Sequence, residues 1–170
     1  DADAIIAVYP FTPHPTITQA IISIADMPVF CGVGGGITEG LRSKNVALHA
    51  EFQGALAVVL NAPTSLQTIS QVKSVVDIPV IITIVSENVD IEQKLKAGAD
   101  ILNVSGGENT AKIVAQIRKK FKDIPIIATG GKTDESILKT IKAGANAISY
   151  TPPTTAKLLK KYMDEYRENY

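Results

Sequence analysis

Residues 96–105 read KAGADILNVS and residues 142–151 read KAGANAISYT, one phrase used twice; FQGALAVVLN at 52–61 is a looser third copy. Each copy reads as a helix closed by a glycine (Gly98, Gly144, Gly54) and followed by a strand that is apolar on both faces. A second phrase alternates with the first: DMPVF from Asp26, DIPVI from Asp77 and DIPII from Asp123. Repetition of this kind marks a supersecondary unit used several times, here strand, helix, strand, helix. The opening DADAIIAVYP matches the first phrase just after its glycine, so the chain starts part-way through a copy. One further strand and helix are therefore expected upstream of Asp1, on the order of 20 to 30 residues by the spacing of such units.

Apolar runs place strands near 4–9, 28–33, 55–61, 79–85, 100–105, 125–129 and 146–151. Between them, Ile113, Ile117 and Phe121, and again Ile137, Leu138 and Ile141, recur at helical spacing with Lys and Glu on the other faces, which predicts helices packed outside a sheet. Thr64 with Gln67, and Asp90 with Gln93, have the spacing of capping boxes. Strands that are apolar throughout and alternate with helices imply a parallel α/β sheet. Seven visible units plus the missing first one make eight, the number that closes a (β/α)8 TIM barrel. Residues 1–170 are read as one such domain, incomplete at its N-terminus, with no linker or low-complexity tract inside it.

The composition narrows the function. With 17 basic and 17 acidic residues in 170 there is no net field to draw nucleic acid or an anionic membrane. No segment is apolar for long enough to span a bilayer. Cys31 is the single cysteine, which excludes an intrachain disulfide and fits a reducing, cytoplasmic setting. It reads as a core residue, there being no histidine beside it. No metal-ligand spacing stands out and no cofactor is expected; a homo-oligomer stays open, because a partner chain would also cover a strand edge.

In a barrel the chemistry lies in the loops after the strands. Three of these carry glycine runs: Gly34, Gly35 and Gly36; Gly106 and Gly107; Gly130 and Gly131. Such runs either let backbone N–H groups approach a phosphate or only make tight turns. The stretch PIIATGGKTDESILKTIKAGANAISY at 125–150 resembles the last two strands of phosphate-binding (β/α)8 barrels: thiamine phosphate synthase, the keto-deoxy-phosphogluconate aldolases and the glycerol-uptake antiterminator regulators. That resemblance implies a small phosphorylated or anionic metabolite beside Gly130 and Gly131, with Lys132 pairing its charge. The chain departs from the pattern at Thr151-Pro152-Pro153, where proline has no N–H to give, and it has no lysine within a predicted strand for Schiff-base chemistry. The full sequence also resembles a group of bacterial barrel proteins labelled only hydrolase, which implies no mechanism.

Among polar residues at strand ends, Asn61, Asn103, Ser105, Thr129 and Thr151 are candidate ligand contacts, with Tyr9 and Ser86 also at strand ends. Glu87 has the best position for a general base, provided a partly buried mouth raises its pKa; otherwise it serves the N-terminus of the next helix. His14, within Thr12-Pro13-His14-Pro15, forms either a rigid lip or a surface turn, and Tyr150 is a third group able to exchange a proton. Arg42, near Glu39, grips an acidic substrate or lies exposed, and His49 reads as surface. Two classes follow: an enzyme of hydrolase, lyase or isomerase type, or a barrel that senses a phosphometabolite. The sensor needs a basic face, for which only Lys119, Lys120 and Lys122, and Lys157, Lys160 and Lys161, are available.

Overall fold

The computed structural model describes residues 2–8, 13–131 and 133–169; Lys132 and Tyr9 lie outside them. Strands and helices alternate as β1 (Ile5–Ala7), α1 (Pro15–Ile24), β2 (Val29–Gly35), α2 (Leu41–Phe52), β3 (Ala57–Asn61), α3 (Leu66–Lys73), β4 (Val80–Ile84), α4 (Ile91–Lys96), β5 (Ile101–Val104), α5 (Thr110–Lys120), β6 (Ile126–Thr129), α6 (Asp134–Lys142), β7 (Ala147–Ser149) and α7 (Thr155–Asn169). The seven strands are parallel and pair in chain order. β1 does not pair with β7; the two line a cleft of about 380 Å³ with Ile5, Ile6, Ala147 and Ile148. The sheet is thus a curled, open barrel with one seam.

Alternation along each strand divides the core. Val58, Leu60, Val80, Ile82, Leu102, Val104 and Ile126 point outward beneath the helices. Ala57, Val59 and Ile81 point inward, where Ile6, Phe30, Ile101 and Ile127 pack against them. Each fully buried Val, Leu or Ile contributes roughly 1.5–3 kcal/mol, which is why the strand register is firm where both faces are filled.

The repeated phrases do repeated work. Gly54, Gly98 and Gly144 all adopt positive φ (100°, 111° and 107°), and the alanine after each donates back into its helix, from Ala55 to Ala50, Ala99 to Lys94 and Ala145 to Thr140. This is the glycine helix stop, at positions where a Cβ would be strained. Two residues after Gly98, Asp100 Oδ2 accepts the N–H of Val80 at 2.8 Å and the Lys73 ammonium at 2.8 Å. At the equivalent place Asn146 Oδ1 accepts the N–H of Ile126 at 2.9 Å and Arg118 Nη2 at 2.8 Å. These two units so clamp the first N–H of the strand before them, while the third copy has Leu56 at this place. Asp3 holds this position in the first copy and is exposed.

Some expectations shift. Gly34 and Gly35 belong to β2, level with Leu60 and Asn61, rather than to a loop. The N-cap of α3 is Ser65, which accepts the Thr68 N–H at 3.2 Å, while Thr64 turns its hydroxyl back onto Asn61 O. Asp90 caps α4 as the spacing predicts, accepting from Gln93 N at 3.1 Å and Gln93 Nε2 at 2.8 Å. α7 leaves its apolar residues uncovered: Leu158, Leu159, Tyr162, Met163 and Tyr166 are all exposed. No helix among the described residues is long and apolar enough to cross a membrane.

Candidate functional site

The C-terminal ends of the strands form a mouth whose floor is built by inward-facing side chains. Ile81 faces in, so Thr83 and Val85 do also; Ile101 brings Asn103 and Ser105, and Ile127 brings Thr129. These polar groups bond to one another: Asn103 Nδ2 donates to Thr83 Oγ1 at 3.3 Å, and Thr129 Oγ1 to Ser105 Oγ at 3.2 Å. Above β2–β5 lies a cavity of about 340 Å³ walled by Gly34, Gly35, Asn61, Thr83 and Ser105, with Pro13, Ile37, Ala62 and Val85 at its apolar rim. None of its described lining residues carries a charge. The Asn103 Oδ1 atom is buried with no hydrogen-bond partner.

A second cleft, of about 530 Å³, opens beside it between α5 and α6 and takes in Gly107, Glu108, Thr129, Gly130, Gly131, Thr133, Ser136 and Lys139. Thr129 lines this cleft and Ser105 the first cavity, so their hydrogen bond joins the two.

Most of the expected phosphate cup is already engaged. Gly35 N donates to Thr38 O at 2.7 Å, Gly36 N to Pro63 O at 2.8 Å, Gly106 N to Thr110 Oγ1 at 3.0 Å and Gly130 N to Ser149 O at 3.2 Å. At the start of α6, Thr133 and Ser136 cap each other's N–H groups, and Asp134 and Glu135 add negative charge where an anion would dock. Gly107 (φ 59°) and Gly131 (φ 87°) are the second members of their pairs.

The proton-exchanging candidates do not converge. Glu87 is exposed on the groove between α4 and α5, paired with Lys112 at 2.9 Å and accepting from Gln116 Nε2 at 3.1 Å. Hydrogen bonds from Lys112 and then Gln116, with the Lys112 charge, hold its pKa below the ordinary carboxylate range. The expectation of a base raised toward neutrality is therefore corrected: the shift runs the other way, and the side chain serves the helix surface. Tyr150 is exposed at the β1–β7 seam, with Thr151 just beyond it in exposed chain. His14 caps α1 next to Pro13 at the mouth, exposed, its carbonyl accepting the N–H groups of Ile17 and Thr18. Arg42 is exposed, Glu39 accepts from Ser65 N at 3.1 Å, and His49 meets Gln53 Nε2 at 3.0 Å. Lys157, Lys160 and Lys161 share their face of α7 with Asp164, Glu165 and Glu168, so no basic surface forms there. No group of three His, Cys, Asp or Glu among the described residues is arranged to hold a metal ion.

Sequence reading missed Thr83 and its place in the floor. The signal was present: Thr83 is the lone polar residue in the run VIITI, and alternation sets it on the same face as Ile81.

No protein-family model and no curated protein matches the chain. Solved structures do. Dihydrodipicolinate synthase from Aquifex aeolicus is 18% identical with a TM-score of 0.66, over 88% of this chain and 58% of that one. A 2,3-dimethylmalate lyase of the PEP mutase/isocitrate lyase superfamily is 16% identical, TM-score 0.67, over 91% and 64%. Mandelate oxidase is 16% identical, TM-score 0.67, over 86% and 54%. The fold is that of a (β/α)8 barrel, seen here through seven of its units. The chain spans between half and two thirds of the length of these neighbours.

Proposed function

We propose that the chain is the substrate-binding part of a (β/α)8-barrel enzyme acting on a small hydroxyl-bearing metabolite, through lyase or isomerase chemistry. One observation carries this reading: the mouth has a hydrogen-bonding floor of Asn61, Thr83, Asn103, Ser105 and Thr129 above an apolar barrel interior. Concave sites with a few convergent polar groups are the usual seats of small ligands. Neighbours named as a synthase, a lyase and an oxidase support enzymatic chemistry over the hydrolase label. The other cleft sets Lys139 against Glu108, with Asp134 and Glu135 at the start of α6, so an anionic group on the metabolite gains no net positive charge there. The floor itself holds no group that titrates near neutrality, so the proton must be handled from the rim, and His14 beside Pro13 is the group we assign to it.

The uncharged floor also favours a second reading, a sensor barrel that binds the same metabolite without converting it. Thermal-shift screening of polyols, hydroxy acids and their phosphate esters, followed by product analysis of each hit, separates the two. Conversion of a stabilising compound supports the enzyme, stabilisation without conversion the sensor, and no stabilisation by any compound defeats both.

A further inference from the structure

The proposed function leaves open which group of the metabolite the floor reads, and Asn61 with Thr83 supplies an answer that rests on that reading. Both residues line the uncharged cavity over β2–β5. Leu60 pairs with Ile82, so the next residues along, Asn61 and Thr83, are neighbours on the inner face, about 5 Å apart by strand spacing. The Asn61 side-chain amide has no hydrogen-bond partner among the described residues and, unlike Asn103 Oδ1, neither of its polar atoms is buried. Thr83 Oγ1 accepts from Asn103 Nδ2 at 3.3 Å, and no acceptor among the described residues takes its proton. Turning the Asn103 amide over would claim that proton but bury unpaired N–H groups in place of an unpaired carbonyl oxygen, the rarer arrangement.

A ligand at the β3–β4 floor therefore meets a hydroxyl proton from Thr83 and, from Asn61, an N–H donor beside a carbonyl acceptor. A carboxylate or phosphate finds no counter-charge in these walls. An uncharged carbonyl oxygen accepts from Thr83 and from Asn61 Nδ2 together, and a hydroxyl on the adjoining carbon donates to Asn61 Oδ1. A diol brings a proton to the place where both residues already offer one.

We infer that this part of the mouth is a subsite for an α-hydroxycarbonyl group, that of a neutral hydroxyketone or hydroxyaldehyde, with Asn61 and Thr83 holding its carbonyl oxygen. The assignment suits lyase or isomerase chemistry, which gathers negative charge on such an oxygen; fixed donors stabilise that charge without a counter-ion.

The test is calorimetric titration of the full chain with hydroxyketones and the polyols that differ from them only in the reduced carbonyl: hydroxyacetone and propylene glycol, dihydroxyacetone and glycerol, erythrulose and erythritol. At least one pair should show a preference of roughly tenfold or more for the ketone. Thr83→Val, which keeps the shape and removes the hydroxyl, and Asn61→Leu should each bring the two members to within about twofold, whereas Thr83→Ser should retain the preference. Circular dichroism checks that each variant folds, and where one does not, the other decides. A preference absent from every pair that binds, or one that survives in either folded variant, overturns the subsite and leaves the proposed function standing. So does failure of every hydroxyketone to bind while some compound of the thermal-shift screen stabilises the chain. Silence in both experiments overturns both.

Discussion

At the scale of single residues, Cys31 and Glu87 respond to pH in opposite directions. Cys31 is fully buried, and burial pushes its thiol up to about 11. The raised value stabilises the folded state at neutral pH, and that contribution fades as pH rises from the ordinary thiol range, about 8.5, through 11. Labelling by a disulfide reagent at pH 8 should be slower by a hundredfold or more in the native protein than in denaturant; equal rates would show that Cys31 is accessible. Glu87 behaves oppositely: its lowered pKa favours the folded state above the unfolded carboxylate value, and the benefit is lost as pH falls. Glu87→Gln should leave any turnover within about twofold, whereas His14→Gln should lower it by roughly a hundredfold, the usual worth of a general acid-base group, with ligand binding retained. Equal losses in both variants would return Glu87 to the mechanism. Gly131 adopts φ 87° against Ser136, so Gly131→Ala should cost about 1–3 kcal/mol in urea unfolding whatever it does to ligand binding.

Secondary-structure elements were the most legible part of this chain, and the clamp residues explain why. The phrases ending in Gly-Ala-Asp and Gly-Ala-Asn record a helix stop, a capping side chain and a strand start in consecutive positions, all of them local. Glu87 was illegible for the converse reason: its partners Lys112 and Gln116 come from another helix and meet it only after β4 and β5 have paired. The glycine runs left a phosphate cradle and a tight turn both open for a similar reason. Their suitability for phosphate is a property of residue type, but whether an N–H is free depends on Thr38, Pro63, Thr110 and Ser149, whose positions tertiary structure decides. The floor was half legible, since Asn61, Asn103, Ser105 and Thr129 stood out as polar strand residues while their mutual hydrogen bonds did not. At this scale the clamp is the feature to test. Asp100→Ala leaves the N–H of buried Val80 unpaired and should cost about 1–3 kcal/mol in chemical denaturation. A loss below about 0.3 kcal/mol would reduce the clamp to a surface contact.

The whole molecule is shaped by its seam. β1 and β7 each offer one unpaired side, and α7 exposes Leu158, Leu159, Tyr162, Met163 and Tyr166. Unpaired edges next to apolar surface promote association. Sedimentation velocity should therefore show concentration-dependent oligomers of this chain, and fusing an apolar strand and amphipathic helix ahead of Ala2 should suppress them and raise the thermal midpoint by several degrees. A strictly monomeric chain across the micromolar range would contradict this.

The clamps also give the seam a direction. Asp100 and Asn146 each reach back to the strand before their own, so β4 and β6 are each locked by the unit that follows. Asp3, which occupies the same place and is exposed, is an outstretched hand at one lip of the seam. The gap therefore works like a keyed socket. A strand laid along β1 with its leading amide at Asp3 would meet a carboxylate placed as Asp100 is for Val80, and a slip of one residue would turn the wrong side chains inward and take that amide out of reach.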